Sequence, residues 1–164
     1  WPVVPIPVKL DRIAKETTGW HELGQKMYDM KHSMPNPQKT FIFGLKYQTA
    51  SELSFYTPGN PHAVAINRWT RPNAYEYWWN DDALAGWDAV GVGSASSKNT
   101  KGLKQIFTHV EPPQMLKVYR KKTPFPSRGN TPPVADYYLY RAFGFKGGIR
   151  WMPADPSDIR GKRP

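Results

Sequence analysis

Three short apolar runs constrain the fold of this chain more than any other feature of its sequence. They are KTFIFGL (39–45), HAVAI (62–66) and WDAVGVG (87–93), and each is flanked by proline, glycine or polar residues. Runs this short and this rich in strand-forming residues are typical of strands, and the absence of polar alternation indicates burial on both faces. We therefore expect three buried strands within residues 39–93.

Amphipathic segments precede and separate these runs. Residues 19–34 place apolar side chains three or four positions apart, which predicts a helix with one buried face that ends before Pro35. Residues 48–56 repeat this pattern over a shorter length, and a short helix is expected near 102–106. The apolar positions that carry the first two helices are Trp20, Leu23, Met27, Met30, Met34, Ala50 and Leu53.

Two later segments, 114–122 and 134–143, alternate apolar and polar residues as half-exposed strands do. A connection rich in proline and glycine separates them, which favours an antiparallel hairpin at one edge of the sheet. The whole pattern predicts an α/β fold: a small sandwich with a mainly parallel sheet of about five strands, an antiparallel edge hairpin and flanking helices. We expect a single domain over 11–151, between a proline-rich linker at 1–10 and a flexible basic tail at 152–164.

The chain is strongly basic, with 23 Lys and Arg against 13 Asp and Glu and a formal net charge of +10. Such an excess favours polyanionic partners: nucleic acid, anionic lipid headgroups or phosphorylated ligands. Any single basic residue, Arg141 included, is most simply part of a solvated surface. Disulfides and thiolate metal sites are excluded because the chain has no cysteine, and its four scattered histidines show no metal-binding spacing.

Residues 68–82, RWTRPNAYEYWWNDD, crowd rings and charges together without the period of a helix or a strand. Acids beside aromatic rings, such as Glu76, Asp81 and Asp82, occur in sites that cleave sugars. Acids at the start of a helical turn also stabilise its dipole, and we favour this second interpretation. The segment is therefore expected to be a loop beside a binding site, without a catalytic residue.

Sequence motifs for other functions are absent or incomplete. Residues 90–98, VGVGSASSK, follow a predicted strand but lack the glycine spacing of a dinucleotide-binding or P-loop motif. No G-x-S-x-G sequence marks a serine nucleophile. Basic charge combined with aromatic rings is also the composition of platforms for single-stranded nucleic acid. A basic module that binds nucleic acid or another polyanion, and a free-standing glycan-binding domain, thus stay open as alternatives.

Several motifs in a fixed order make the chain resemble a known family. They are GWHEL (19–23), YQTASELSFY (47–56), RPNAYEYW (71–78), GWDAV (86–90) and FGFKGG (143–148). Together they resemble the C-terminal extracytoplasmic domain of bacterial polytopic membrane glycosyltransferases of the protein-mannosyltransferase and 4-amino-4-deoxy-L-arabinose transferase type. The resemblance spans residues 11–148. Ala74 departs from it, since that position often holds glutamine in the family.

The resemblance implies that the parent enzyme transfers a sugar from a polyprenyl-phosphate donor outside the cytoplasmic membrane. The catalytic carboxylates of the family lie in loops between upstream membrane helices, so this chain would hold none and would need no cofactor or metal. It would face the periplasm, tethered to the membrane part of the same polypeptide. There it would help to recognise the acceptor or the donor headgroup, close to anionic lipid and with nucleic acid an unlikely partner.

Six residues are the candidates for substrate binding. Arg68 and Arg71 have forked donors that suit a phosphate, and Asn73 suits a sugar hydroxyl. The rings of Tyr75 and Trp78 either offer flat faces to a sugar or anchor the segment on the edge of the sheet. The full candidate set is Arg68, Arg71, Asn73, Tyr75, Trp78 and Tyr47.

Overall fold

The computed structural model of the chain describes residues 17–66, 78–93, 97–119 and 133–148. Helices α1 to α3 are Trp20–His32, Tyr47–Tyr56 and Ser97–Ile106. Strands β1 to β6 are Thr40–Gly44, Val64–Ala65, Asp88–Gly93, Phe107–Val110, Gln114–Val118 and Ala135–Phe145. Two short 3₁₀ helices, Pro37–Lys39 and Asp81–Leu84, precede β1 and β3.

The six strands form one mixed sheet in the order β2-β1-β3-β6-β4, with β5 also paired to β6. Strands β2, β1 and β3 run parallel to one another, and β6 is antiparallel to β3, β4 and β5. The predicted α/β fold, with a parallel core and an antiparallel hairpin at one edge, is confirmed. β6 is the inner strand of that hairpin. Its 11 residues pair with β3 on one side and with both β4 and β5 on the other.

β4 and β5 together form one edge strand that a β-bulge interrupts. Val110 pairs with Ala142 but Gln114 pairs with Leu139, so the edge strand takes one residue more than β6 over this distance. The extra residue lies within 111–113, which include two prolines, and proline is tolerated at a bulge on an edge strand. The sequence does not predict β4, because its two central residues are exposed and the bulge cuts the alternation short.

Helices cover the sheet on both faces. α1 and α2 pack on one, the α1–α2 face, through the apolar positions that the helical spacing predicts. α3 and the 3₁₀ helix before β3 pack on the other, the α3 face. β1 alternates accordingly, since Phe41 and Phe43 belong to the core of the α3 face and Ile42 to that of the α1–α2 face.

Two glycines let these layers approach closely. A Cβ atom on Gly44 would lie 2.5 Å from the backbone nitrogen of Ala50, near the start of α2. A Cβ atom on Gly91 would lie 2.5 Å from the ring of Phe43. Atoms in a close-packed interior do not accept such distances. Any side chain at these positions would therefore displace α2 or Phe43.

Most predicted elements within residues 19–143 are confirmed, with shifted ends. The strand expected over 62–66 narrows to β2, and the helix expected near 102–106 lengthens to α3. The predicted linker at 1–10 and the tail at 152–164 lie outside the described residues, so the domain limits of 11–151 stay predictions. No helix in the described part of the chain combines the length and the apolar character needed to cross a membrane.

Candidate binding site at the carboxyl ends of the parallel strands

The strand order creates a switch point between β1 and β3. The chain leaves β1 into α2 on the α1–α2 face, whereas the helix that follows β3 packs on the α3 face. In open α/β sheets, the carboxyl ends of two such neighbouring strands border a crevice where ligands generally bind. We therefore place the candidate site at the carboxyl ends of β1 and β3, called the switch-point edge below.

Lys46 and Tyr47 begin α2 at the switch-point edge. Lys46 is the N-cap residue, with an extended backbone, no capping side-chain hydrogen bond and an exposed side chain. Tyr47 is the first helical residue and is 44 % exposed. The positive end of the α2 dipole and the Lys46 ammonium group together favour an anion at this position. The structure thus places Tyr47, a candidate from the sequence, at the switch-point edge.

The segment with most of the candidate residues starts at the same edge. The amide of Ile66, directly after β2, donates to the carbonyl oxygen of Gly44 at 2.9 Å. The chain therefore enters residues 67–77 beside the carboxyl end of β1. Four candidates lie in this segment, outside the described residues, and their roles stay predictions: Arg68, Arg71, Asn73 and Tyr75.

Trp78 lies towards the opposite edge of the sheet. Three residues later, Asp81 accepts a hydrogen bond from the amide of Gly148 at 2.6 Å, just beyond the end of β6 that adjoins the start of β3. Trp78 is 61 % exposed, whereas Trp79 is partly buried against the core of the α3 face. Trp79 therefore anchors this segment on the core of the α3 face, and the anchoring role considered for Trp78 stays a prediction. Asp81 and Tyr47 thus lie near opposite ends of the parallel strands, and the binding role of Trp78 stays a prediction.

A buried tyrosine that the sequence does not single out lies beside the switch-point edge. Tyr140 pairs with Gly91, and its ring comes within 3.3 Å of the position that a Cβ atom on Gly93 would take. Tyr140 is 0 % exposed, and its hydroxyl makes no hydrogen bond within the described part of the chain. Burial raises the pKa of this hydroxyl, and the nearby Thr100 side chain offsets part of the rise. The alternation of apolar and polar residues over 134–143 predicts that the side chain at position 140 faces the core. It does not predict that the Tyr140 hydroxyl lacks a hydrogen-bond partner.

The acids near the aromatic segment interact with the backbone. Asp81 and Asp82 lie in the first turn of the 3₁₀ helix before β3, as the dipole interpretation expects. Asp88 accepts a hydrogen bond from the amide of Gly144 at 3.1 Å. Within residues 17–66, 78–93, 97–119 and 133–148, no group of three or more His, Asp or Glu side chains is arranged to hold a metal ion.

The basic excess of the chain is distributed unevenly along it. The described residues hold ten of the 23 Lys and Arg but eight of the 13 Asp and Glu. The remaining thirteen basic and five acidic residues belong to the other segments. The described body is therefore nearly balanced in charge. Among the described residues, the groups that favour an anion at the switch-point edge are Lys46 and the N-terminus of α2.

No family model, curated protein or solved structure matches the chain. The resemblance to membrane glycosyltransferases therefore rests on the sequence motifs.

Proposed function

We propose that this chain is the non-catalytic extracytoplasmic domain of a bacterial membrane glycosyltransferase, where it contributes to recognition of the acceptor or of the polyprenyl-phosphate donor headgroup. One observation carries this proposal. Two of the family-like motifs follow neighbouring parallel strands at the same edge: YQTASELSFY begins α2 after β1, and RPNAYEYW comes shortly after β2. The parallel pairing of β1 and β2 thus places Ile66, five residues before the second motif, beside the strand that leads into the first.

The chemistry of the switch-point edge suits a sugar that carries a phosphate. The α2 dipole and Lys46 favour the negative charge. Arg68 and Arg71, a few residues beyond β2, would add forked donors that bind a phosphate through two oxygens. The exposed ring of Tyr47 offers an apolar face to a sugar ring.

The transfer reaction belongs, in this proposal, to the membrane part of the same polypeptide. Asp81 and Asp88 already accept backbone hydrogen bonds, and no catalytic role is proposed for them. The domain would stand on the periplasmic side of the membrane. Anionic headgroups there attract each nearby basic residue by about 1 kcal/mol.

Co-sedimentation with lipid vesicles tests the proposal. Two sets of vesicles are made from a neutral host lipid. One contains a polyprenyl phosphate and the other contains phosphatidylglycerol, in amounts that give both sets the same negative surface charge. We expect the 164-residue chain to prefer the polyprenyl phosphate vesicles, and Tyr47→Ala and Arg71→Gln to weaken that preference. Lys26→Gln, on the exposed side of α1, is the matched control and should behave as the unchanged chain. Equal binding to both vesicle sets, or a preference that neither variant alters, would contradict the proposal.

Nucleic acid is the main competing partner because of the net charge of +10. Binding to short single-stranded oligonucleotides over a range of salt concentrations separates the two functions. Micromolar affinity at physiological salt with a steep salt dependence would favour the polyanion-binding alternative. Binding of soluble glycans that lack a phosphate, with no preference for polyprenyl phosphate, would favour a free-standing glycan-binding domain. We do not expect tight binding of nucleic acid, because the described body is nearly balanced in charge.

A further inference from the structure

Arg141 occupies an unusual position for an arginine. It lies in the interior of β6, opposite Val90 of β3, and its side chain is on the α1–α2 face and half-buried. One guanidinium nitrogen, Nη2, donates to the hydroxyl of Ser33 at 3.0 Å. The Nε atom is buried and has no hydrogen-bond partner among the described residues. Arg141 is therefore only partly solvated: its Nε atom is buried, whereas its hydrogen bond to Ser33 is exposed.

No described carboxylate neutralises the Arg141 guanidinium. Glu111 lies opposite Arg141 across the ladder, since its amide donates to the Arg141 carbonyl oxygen at 3.0 Å. No ion pair joins the side chains of Glu111 and Arg141. Asp88, at the start of β3, accepts a hydrogen bond from the Gly144 amide instead. Removing part of a charged group from water without a partner is unfavourable. Buried charged groups are accordingly paired in most proteins, and the half-buried Arg141 has no acidic partner among the described residues.

The C-terminus of α1 orients the guanidinium but does not supply a full negative charge. The Ser33 hydroxyl donates to the carbonyl oxygen of Met30 at 2.8 Å, so its lone pairs are available to accept from Arg141. The helix dipole adds a partial negative charge at this end. This contact fixes one corner of the guanidinium and leaves its other donors unmatched.

The surroundings of Arg141 leave access from the surface. β4 is an edge strand, and no helix covers its His109, which is exposed and lies 5.8 Å from the ring of Phe143, centroid to centroid. Ser33 is likewise exposed, at the end of α1. Arg141 and Phe143, both partly exposed, thus lie on the sheet between the C-terminus of α1 and β4.

We propose that the partly exposed guanidinium of Arg141, held by Ser33 and called the Arg141 site below, binds an oxyanion: a phosphate or carboxylate group of a ligand. The guanidinium is planar and presents its donors in a fork that matches two oxygens of such a group. Ser33 holds the fork in place, and the bound oxygens would supply the negative charge that the described residues lack. The Arg141 site is separate from the switch-point edge and does not depend on the proposed function.

Titration followed by amide NMR of the 164-residue chain tests the Arg141 site. Inorganic phosphate and acetate are the two probes, each compared with sodium chloride at the same ionic strength. We expect phosphate, acetate or both to shift the signals of Ser33, His109 and Arg141. Arg141→Gln should weaken this binding about tenfold or more, because it removes a charge-assisted pair of hydrogen bonds. Lys117→Gln is the control, since it removes one exposed positive charge from the neighbouring β5.

Two further outcomes decide the matter. If Arg141→Gln does not fold, Ser33→Ala serves in its place, because it removes only the hydroxyl that orients the guanidinium. We expect Ser33→Ala to weaken binding of the probe severalfold. Unchanged affinity in the variant that folds, loss of affinity equal to that of Lys117→Gln, or shifts that do not include the neighbours of Arg141 would each overturn the proposal.

Discussion

The two halves of the sheet differ in composition and in how completely their polar groups are satisfied. In the parallel half, every residue of β1 and β2 is buried, and in β3 only Asp88 is partly exposed. In the antiparallel half, four of the five residues of β5 and seven of the eleven residues of β6 are at least partly exposed. Parallel strands covered on both faces need apolar residues throughout, whereas an antiparallel edge tolerates polar ones.

This difference places the unsatisfied polar atoms of the described sheet in its antiparallel half. Tyr140 and Arg141, the two described side chains of the sheet with buried unsatisfied polar atoms, both belong to β6 in the antiparallel half. The parallel half contributes its strand ends, where α2 and residues 67–77 begin. Mutations in the two halves should therefore have different consequences.

Truncation of a core ring should show the largest difference in stability. Phe43→Ala, in the parallel half, removes a ring that is 0 % exposed and should lower the free energy of unfolding by about 4 kcal/mol. Phe143→Ala, in the antiparallel half, should lower the free energy of unfolding by about 2 kcal/mol. The ring of Phe143 is only partly buried, so its removal loses less buried apolar surface than removal of the Phe43 ring. Urea unfolding measures both. Equal losses would show that the antiparallel half is as tightly packed as the parallel half.

Addition of one methyl group should show how closely α2 rests on β1. Gly44→Ala places a Cβ atom against the backbone of α2 and should lower the free energy of unfolding by about 3 kcal/mol. Gly59→Ala is the control: nothing lies within 4 Å of its Cβ position, and only its positive φ of 81° opposes alanine. It should lower the free energy of unfolding by about 1 kcal/mol. Similar losses in thermal or urea unfolding would contradict the close approach of α2.

Removal of a hydroxyl should have opposite effects at two neighbouring tyrosines. Tyr140→Phe should raise the free energy of unfolding by about 1 kcal/mol, because the buried hydroxyl has no hydrogen-bond partner among the described residues. Tyr138→Phe loses the hydrogen bond from its hydroxyl to the sulfur of Met115, at 3.6 Å, and should lower it by less than about 0.5 kcal/mol. A loss of stability in Tyr140→Phe would show that the hydroxyl has a partner, either the nearby Thr100 side chain or a bound water.

Alkaline pH should produce the smallest and most specific effect. Burial raises the pKa values of Tyr137 and Tyr140 above the ordinary 10.0, and Glu52 adds to the rise at Tyr137. The folded protein therefore holds these protons more tightly than the unfolded chain. Stability from this source is complete below about pH 10 and is lost as the pH rises through the folded pKa values. Urea unfolding as a function of pH should show a shallower decline for Tyr140→Phe, and an identical decline would contradict the raised pKa of Tyr140.

The regular parts of the fold are predictable because each depends on a local pattern. The three-and-four spacing of Trp20 to Met34 gives α1, and the unbroken apolar runs give β1 and β3. β4 is not predictable in the same way, since the bulge at 111–113 becomes visible only through its pairing with β6. The site is predictable to a smaller extent: Tyr47 lies at the switch-point edge, but Trp78 lies towards the opposite edge.

The sequence alone determined the α/β class and the approximate limits of most elements. It also pointed to Tyr47 and to residues 68–78 as candidates for binding. Both follow from apolar periodicity and motif order, which are properties of neighbouring positions in the chain. Tertiary structure decided where those positions meet. It placed the starts of α2 and of residues 67–77 at one edge, gave the anchoring role to Trp79, and left Tyr140 and Arg141 with unsatisfied polar atoms. The physical reason is that the burial and hydrogen bonding of a side chain depend on strands and helices that pack against it from distant parts of the chain.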